Sequence, residues 1–210
     1  MSFFSAIASL FKRKDPQPNF QQGWHKDAVI DHVPGGRELD PRFLVIHFTA
    51  GATGRSSIAW WRKQGGRLSA HFVIERDGEV IQCKPCNRTA NHAGPSEWQC
   101  PLNGRVYHNL NSHSIGIELA NGGSTYPDNF TDELPVVARH KFQTRAKSWE
   151  AYPDAQLQAC AKLAKDLVEE YQLTDVVGHE DIAPNRKDDP GPAFPMKWLR
   201  RECGMKGELG

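Results

Sequence analysis

Several things are scarce in this chain of 210 residues, and each scarcity excludes something. Net charge is almost nil, with 26 Lys and Arg against 25 Asp and Glu, so no overall field points to nucleic acid or an anionic membrane. Cysteine is sparse and odd in number. Cys83, Cys86, Cys100, Cys160 and Cys203 show no framework spacing and fit a reducing compartment better than a disulfide scaffold. Long apolar runs are missing too. The segment Met1–Phe11 is too short for a bilayer, and Lys12, Arg13 and Lys14 follow it, whereas a secretory signal carries its basic residues in front. It is read as a loose tail or a short amphipathic helix, and synthesis without a recognisable signal peptide is expected. There is no internal repeat and no low-complexity segment.

What remains is the material of one globular domain with tails, 39% hydrophobic and 24% charged, enough to build a core. Residues 12–40 are rich in Lys, Asp, Pro, Gln and Gly and contain the breaker Pro34-Gly35-Gly36, so they read as a linker or wrapping segment with the compact fold starting near Pro41. The run Phe43-Leu44-Val45-Ile46-His47-Phe48 has the apolar continuity of a strand buried on both faces, with His47 at its end. Ser56 and Ser57 can cap a helix through Trp60 and Trp61, and Asp77-Gly78 marks a hairpin between strands at 70–75 and 79–82. Ser114 to Leu119 alternates, placing Ile115, Ile117 and Leu119 on one face and Glu118 on the other. From Asp154 to Tyr171, Leu157, Cys160, Ala161, Ala164, Leu167, Val168 and Tyr171 recur at helical spacing. A strand over 174–177 and a last helix over 194–201 complete the series. The fold class is therefore α/β (α+β), a central mixed β-sheet flanked by helices.

Three features place metal-competent or acid-base groups at element ends: His47, Glu118, and the segment His179 through Pro192. Singly each is weak, since a histidine after an apolar strand is more often packed than ligating. Together they meet the needs of a hydrolytic zinc site, which takes three N or O ligands and leaves one position for water. His179 and Asp189 stand ten residues apart, and Pro184 and the Asp189-Pro190-Gly191-Pro192 turn can fold that loop back so that both reach one ion with His47. Cys83 and Cys86 form a C-x-x-C near Cys100 and His92, but a second paired knuckle is missing, so they read as ordinary thiols at a strand end. His71 reads as a structural residue of its strand.

The segments Val45-Ile46-His47, Ser69 to Ile74 with Arg76 to Glu79, Asn91-His92-Ala93-Gly94, Ser114 to Leu119, and Gly178-His179 through Pro192 resemble, in order, the second amidase family of N-acetylmuramoyl-L-alanine amidases. The resemblance runs from about residue 42 to 200. It implies an amidase and peptidoglycan-recognition-protein-like fold, with a zinc amidase catalytic domain over 41–202, an extension at 1–40 and a tail at 203–210. It further implies one Zn2+ held by His47, His179 and Asp189, with Glu118 as catalytic acid-base and Lys187 as catalytic lysine. The expected partner is peptidoglycan or a muropeptide bound by a monomer, with no nucleic acid and no transmembrane segment. His92 lies in a segment that borders the family's substrate groove, and Arg105 and Asn111, in the loop 95–113, are read as substrate-binding through an Arg to carboxylate contact. Two departures stand out: Asn91 replaces the aromatic residue usual in recycling enzymes, and Gly122 to Gln143 reads as a changed groove loop. With the N-terminal extension, these favour a wall-lytic or phage-type enzyme acting on the cell wall over a cytoplasmic enzyme recycling 1,6-anhydro-muropeptides. A non-catalytic peptidoglycan-binding module is the rival of another class, and the presence of all five site residues speaks against it.

Overall fold

The structure is a computed structural model and describes residues 18–205. The expectations for the apolar N-terminal tail, for Lys12, Arg13 and Lys14, and for residues 206–210 lie outside the described residues. In chain order the elements are β1 (Phe20–Gln21), β2 (Trp24–His25), β3 (Val29–Ile30), β4 (Phe43–Phe48), α1 (Gly54–Lys63), β5 (Phe72–Ile74), β6 (Val80–Gln82), β7 (Glu97–Gln99), β8 (Val106–His108), β9 (Ser114–Leu119), β10 (Val136–Arg139), β11 (Ala146–Trp149), α2 (Asp154–Tyr171), β12 (Asp175–Gly178), α3 (His179–Ile182) and α4 (Met196–Glu202).

Six strands form one mixed sheet in the order β12-β4-β9-β5-β6-β3. β4 lies between parallel neighbours, β12 and β9, while β5 and β6 form the antiparallel hairpin expected around Asp77-Gly78. Parallel strands must be covered on both faces, and this explains the unbroken apolar run of β4. Leu44 and Ile46 pack with Ile115, Ile117 and Leu119 beneath α2 and α4. Phe43 and Val45 face the other way, against Tyr107, Leu110 and Ile182. Beside them, Ile58 and Trp61 of α1 pack on Val73 and Ile81.

Helix α2 has the predicted bounds and buries Cys160, Ala161, Ala164 and Leu167. Helix α1 begins earlier than the serines suggest. Thr53 is its cap, accepting from the Ser56 N–H at 3.1 Å, and the Glu75 carboxylate accepts from the N–H groups of Gly54 and Arg55 at 2.9 and 2.8 Å. A carboxylate supplied from the neighbouring strand satisfies the positive helix end, a partner that local sequence cannot reveal. The compact fold also begins before Pro41. Phe20, Val33 and Leu39 are buried, and β3 pairs with β6 as the edge of the sheet. The ammonium of Lys84 holds this strap, donating to the carbonyls of Val33, Pro34 and Gly35 at 2.9, 2.8 and 3.0 Å. Two short hairpins, β7–β8 and β10–β11, stand where the sequence suggested loops.

The five cysteines are free and buried, and Cys83, Cys86 and Cys100 belong to three separate core clusters. Burial pushes the Cys83 thiol up to about 12, as expected of an inert core thiol. Among the described residues no helix is long and apolar enough to cross a membrane.

Candidate active site

The pleat of two adjacent strands sets the site. Phe43, Val45 and His47 on β4 stand opposite Ser114, Gly116 and Glu118 on β9, so all six share one face of the sheet. β12 lies on the other side of β4, and the chain leaves it directly into α3, whose first residue is His179. The loop after α3 returns Asp189 to the same place, and the Tyr152 hydroxyl donates to the Pro190 carbonyl at 2.8 Å to brace that return.

The result is a buried triangle. His47 Nδ1 and His179 Nδ1 are 2.9 Å apart, and Asp189 Oδ2 lies 3.0 and 2.9 Å from them. His47, His179 and Asp189 are the group of side chains among the described residues that could hold a metal ion. The far nitrogens decide the protonation pattern. His179 Nε2 is 2.9 Å from the Ala93 carbonyl, which can only accept, so that nitrogen carries the hydrogen and Nδ1 is bare. His92 Nε2 lies 3.4 Å from the Ser114 carbonyl, so its hydrogen belongs there, and His92 Nδ1 accepts from His47 Nε2 at 2.9 Å. His47 Nδ1 is then bare as well. Burial, reinforced by the neighbouring His179, lowers the His47 pKa to about 4, which keeps this imidazole neutral at pH 7. Two ring nitrogens and a carboxylate oxygen thus converge within 3.0 Å of one another, an arrangement suited to a cation. Ligand atoms of a tetrahedral zinc with bonds of about 2.0–2.1 Å stand about 3.3 Å apart, close to the spacing here, and two imidazoles with one carboxylate match a hydrolytic set. The residues fit zinc.

These three side chains line a cavity of about 380 Å³ together with Glu118, Lys187, Asp188 and Arg186. Glu118 Oε2 is shielded from solvent and has no hydrogen-bond partner among the described residues. Burial, then the negative Asp189, hold the Glu118 carboxyl well above the ordinary carboxylate range, with Lys187 opposing. A carboxylate of raised pKa, unpartnered and facing a cavity beside a metal-competent cluster, is placed for proton transfer. Trp60, half exposed, lies on the rim.

The residues expected to bind substrate are distributed differently. Arg105 is exposed, lies 4.9 Å above the Tyr107 ring and is absent from the cavity lining. Asn111 turns its Oδ1 inward to the N–H groups of His92 and Ala93. His92 reaches the cavity wall but has both ring nitrogens engaged. His71, expected on its strand, lies one residue before β5, accepting from the Gly116 N–H at 3.0 Å and donating to the Arg88 carbonyl at 2.8 Å. Sequence reasoning gave no cavity role to Arg186. Its guanidinium donates to the Ala93 and Pro95 carbonyls, tying the loop after α3 to the 92–95 loop.

Fold and site together define a family. The sequence matches the N-acetylmuramoyl-L-alanine amidase family over residues 37–192, and the chain belongs to it. Among its relatives, the 1,6-anhydro-N-acetylmuramyl-L-alanine amidase AmpD of Escherichia coli K12 is 40% identical over 136 residues, 64% of this chain and 56% of that protein. The N-acetylmuramoyl-L-alanine amidase AmiD of the same organism is 34% identical over 170 residues, 77% of this chain and 52% of that protein. The chain thus spans about half the length of these relatives. The crystal structure of a selenomethionine derivative of AmpD superposes with a TM-score of 0.62 at 28% identity, covering 87% of this chain and 97% of that one. E. coli AmiD, in complex with the substrate anhydro-N-acetylmuramic acid-L-Ala-D-γ-Glu-L-Lys, gives 0.61 at 32% identity, covering 81% and 60%.

Proposed function

We propose that this protein is a zinc-dependent amidase that hydrolyses the amide between N-acetylmuramic acid and L-alanine, with soluble 1,6-anhydro-muropeptides as its substrate. The observation that carries the chemistry is the triangle of His47, His179 and Asp189 beside an unpartnered Glu118 in one cavity. A bound zinc ion supplies Lewis acidity and an activated water at neutral pH. Glu118 takes the proton of the attacking water and delivers it to the departing alanine nitrogen, a role its raised pKa suits in both directions. The Lys187 ammonium stabilises the negative charge that develops on the amide oxygen, an effect on the order of 3 kcal/mol for one such donor. Trp60 offers indole surface to a sugar ring at the rim.

The choice of substrate rests on the relatives. AmpD is named as a 1,6-anhydro-N-acetylmuramyl-L-alanine amidase, and AmiD is seen with an anhydro-muramoyl peptide. The N-terminal extension and changed loops suggested a wall-lytic enzyme, but the relatives support the soluble substrate better. The test is mass-spectrometric product analysis on intact sacculi and, separately, on a soluble anhydro-muropeptide. Faster release of stem peptides with a free N-terminal alanine from the soluble substrate is expected. Preference for sacculi would reverse the substrate assignment, and cleavage of neither by zinc-loaded protein would leave a binding module.

A further inference from the structure

One dipeptide stands behind both histidines of the triangle. The Ala93 carbonyl receives the Nε2 hydrogen of His179 at 2.9 Å, and His92 Nδ1 receives that of His47 at 2.9 Å. The dipeptide is itself clamped. Asn111 Oδ1 accepts from the backbone N–H of His92 at 3.0 Å and of Ala93 at 2.7 Å, which uses both of its lone pairs. The His92 ring has a seat made for it. It lies on Gly116, where a Cβ would come within 2.6 Å of ring atoms, and its far nitrogen is anchored at Ser114, 3.4 Å away. The small residues at 114 and 116 of β9 are what leave that space.

From this we infer that His92 and Asn111 are positioning residues for the metal ligands rather than substrate contacts. His92 fixes which nitrogen of His47 faces the site and how its ring is turned. Asn111, by holding two successive peptide groups, sets the acceptors of both histidines at once. A ligand histidine whose outer nitrogen is held binds metal more tightly because its tautomer and orientation are prepaid, and losing such a partner weakens metal affinity about 10–100-fold. The inference rests on the zinc reading of the site and adds which residues preorganise it.

The experiment measures zinc dissociation constants of metal-stripped protein by competition with a fluorescent chelator, alongside melting temperatures of the stripped forms and KM. Variants are His92→Phe, His92→Gln, Asn111→Ala and Asn111→Asp. His92→Phe and Asn111→Ala are expected to weaken zinc binding about 10–100-fold. His92→Gln, whose carbonyl can accept from His47, recovers part of the loss, and Asn111→Asp, which keeps both acceptor sites, recovers most of it. Zinc affinity within twofold of the parent in both His92→Phe and Asn111→Ala, with KM raised, overturns the inference and returns both residues to substrate contact. If His92→Phe does not fold, the Asn111→Ala and Asn111→Asp pair decides alone. Failure of the parent protein to bind zinc is a different result and strikes the proposed function itself.

Discussion

His47 and Glu118 are direct register partners on adjacent parallel strands, so a metal-competent imidazole and a buried carboxylate leave the sheet on the same face at the same level. The roles proposed for them are expected to separate on substitution. Glu118→Gln keeps size and removes the base, so zinc stoichiometry stays at the parent level while kcat falls by about 10²–10⁴. Metal analysis and turnover on the same sample check this, and normal turnover would remove Glu118 from the mechanism.

In the proposed mechanism Lys187 acts on charge that develops during reaction rather than on the bound substrate. Lys187→Met is therefore expected to lower kcat by about 10²–10³ while KM changes little. A raised KM with unchanged kcat would instead make Lys187 a substrate-binding group.

His71 gives the stability a pH dependence whose sign can be worked out. Burial lowers its pKa to about 4 in the folded protein from 6.5. Between those values the unfolded chain binds a proton that the folded chain refuses, so stability is full above pH 6.5 and lost as pH falls toward 4, by on the order of 3 kcal/mol. Urea midpoints from pH 7 to 4 should fall more steeply for the parent than for His71→Gln. Parallel curves would mean that His71 titrates normally.

The strap before β4 depends on Lys84, whose buried ammonium serves three backbone carbonyls. Lys84→Met leaves those carbonyls without their donor and should cost on the order of 3 kcal/mol, with proteolytic cleavage appearing first between residues 18 and 40. Unchanged stability and protection would show that the strap is held by its apolar contacts alone.

Much of this was legible in the sequence where pattern is local. The run of β4, the alternation of β9 and the helical spacing of α2 each report which face is buried, and they place His47 and Glu118 correctly at strand level. The convergence of His179 and Asp189 could be argued from a ten-residue loop with a Pro-rich turn. What was not legible depends on contacts distant in sequence. Glu75 capping α1, Lys84 gathering the strap and Asn111 turning inward are all side chain to backbone bonds spanning about twenty residues or more. A polar residue in a loop next to a groove motif reads as a substrate contact, and the bonds of Asn111 Oδ1 to the backbone of His92 and Ala93 are visible only in the fold.

The most direct test of the account is a zinc titration of metal-stripped protein, following release of stem peptide from a soluble anhydro-muropeptide by mass spectrometry. The account predicts no hydrolysis without metal, a linear rise with added zinc, a plateau at one ion per chain, and no recovery in His179→Ala. Full hydrolysis by the metal-stripped protein, or an unchanged plateau in His179→Ala, would contradict it.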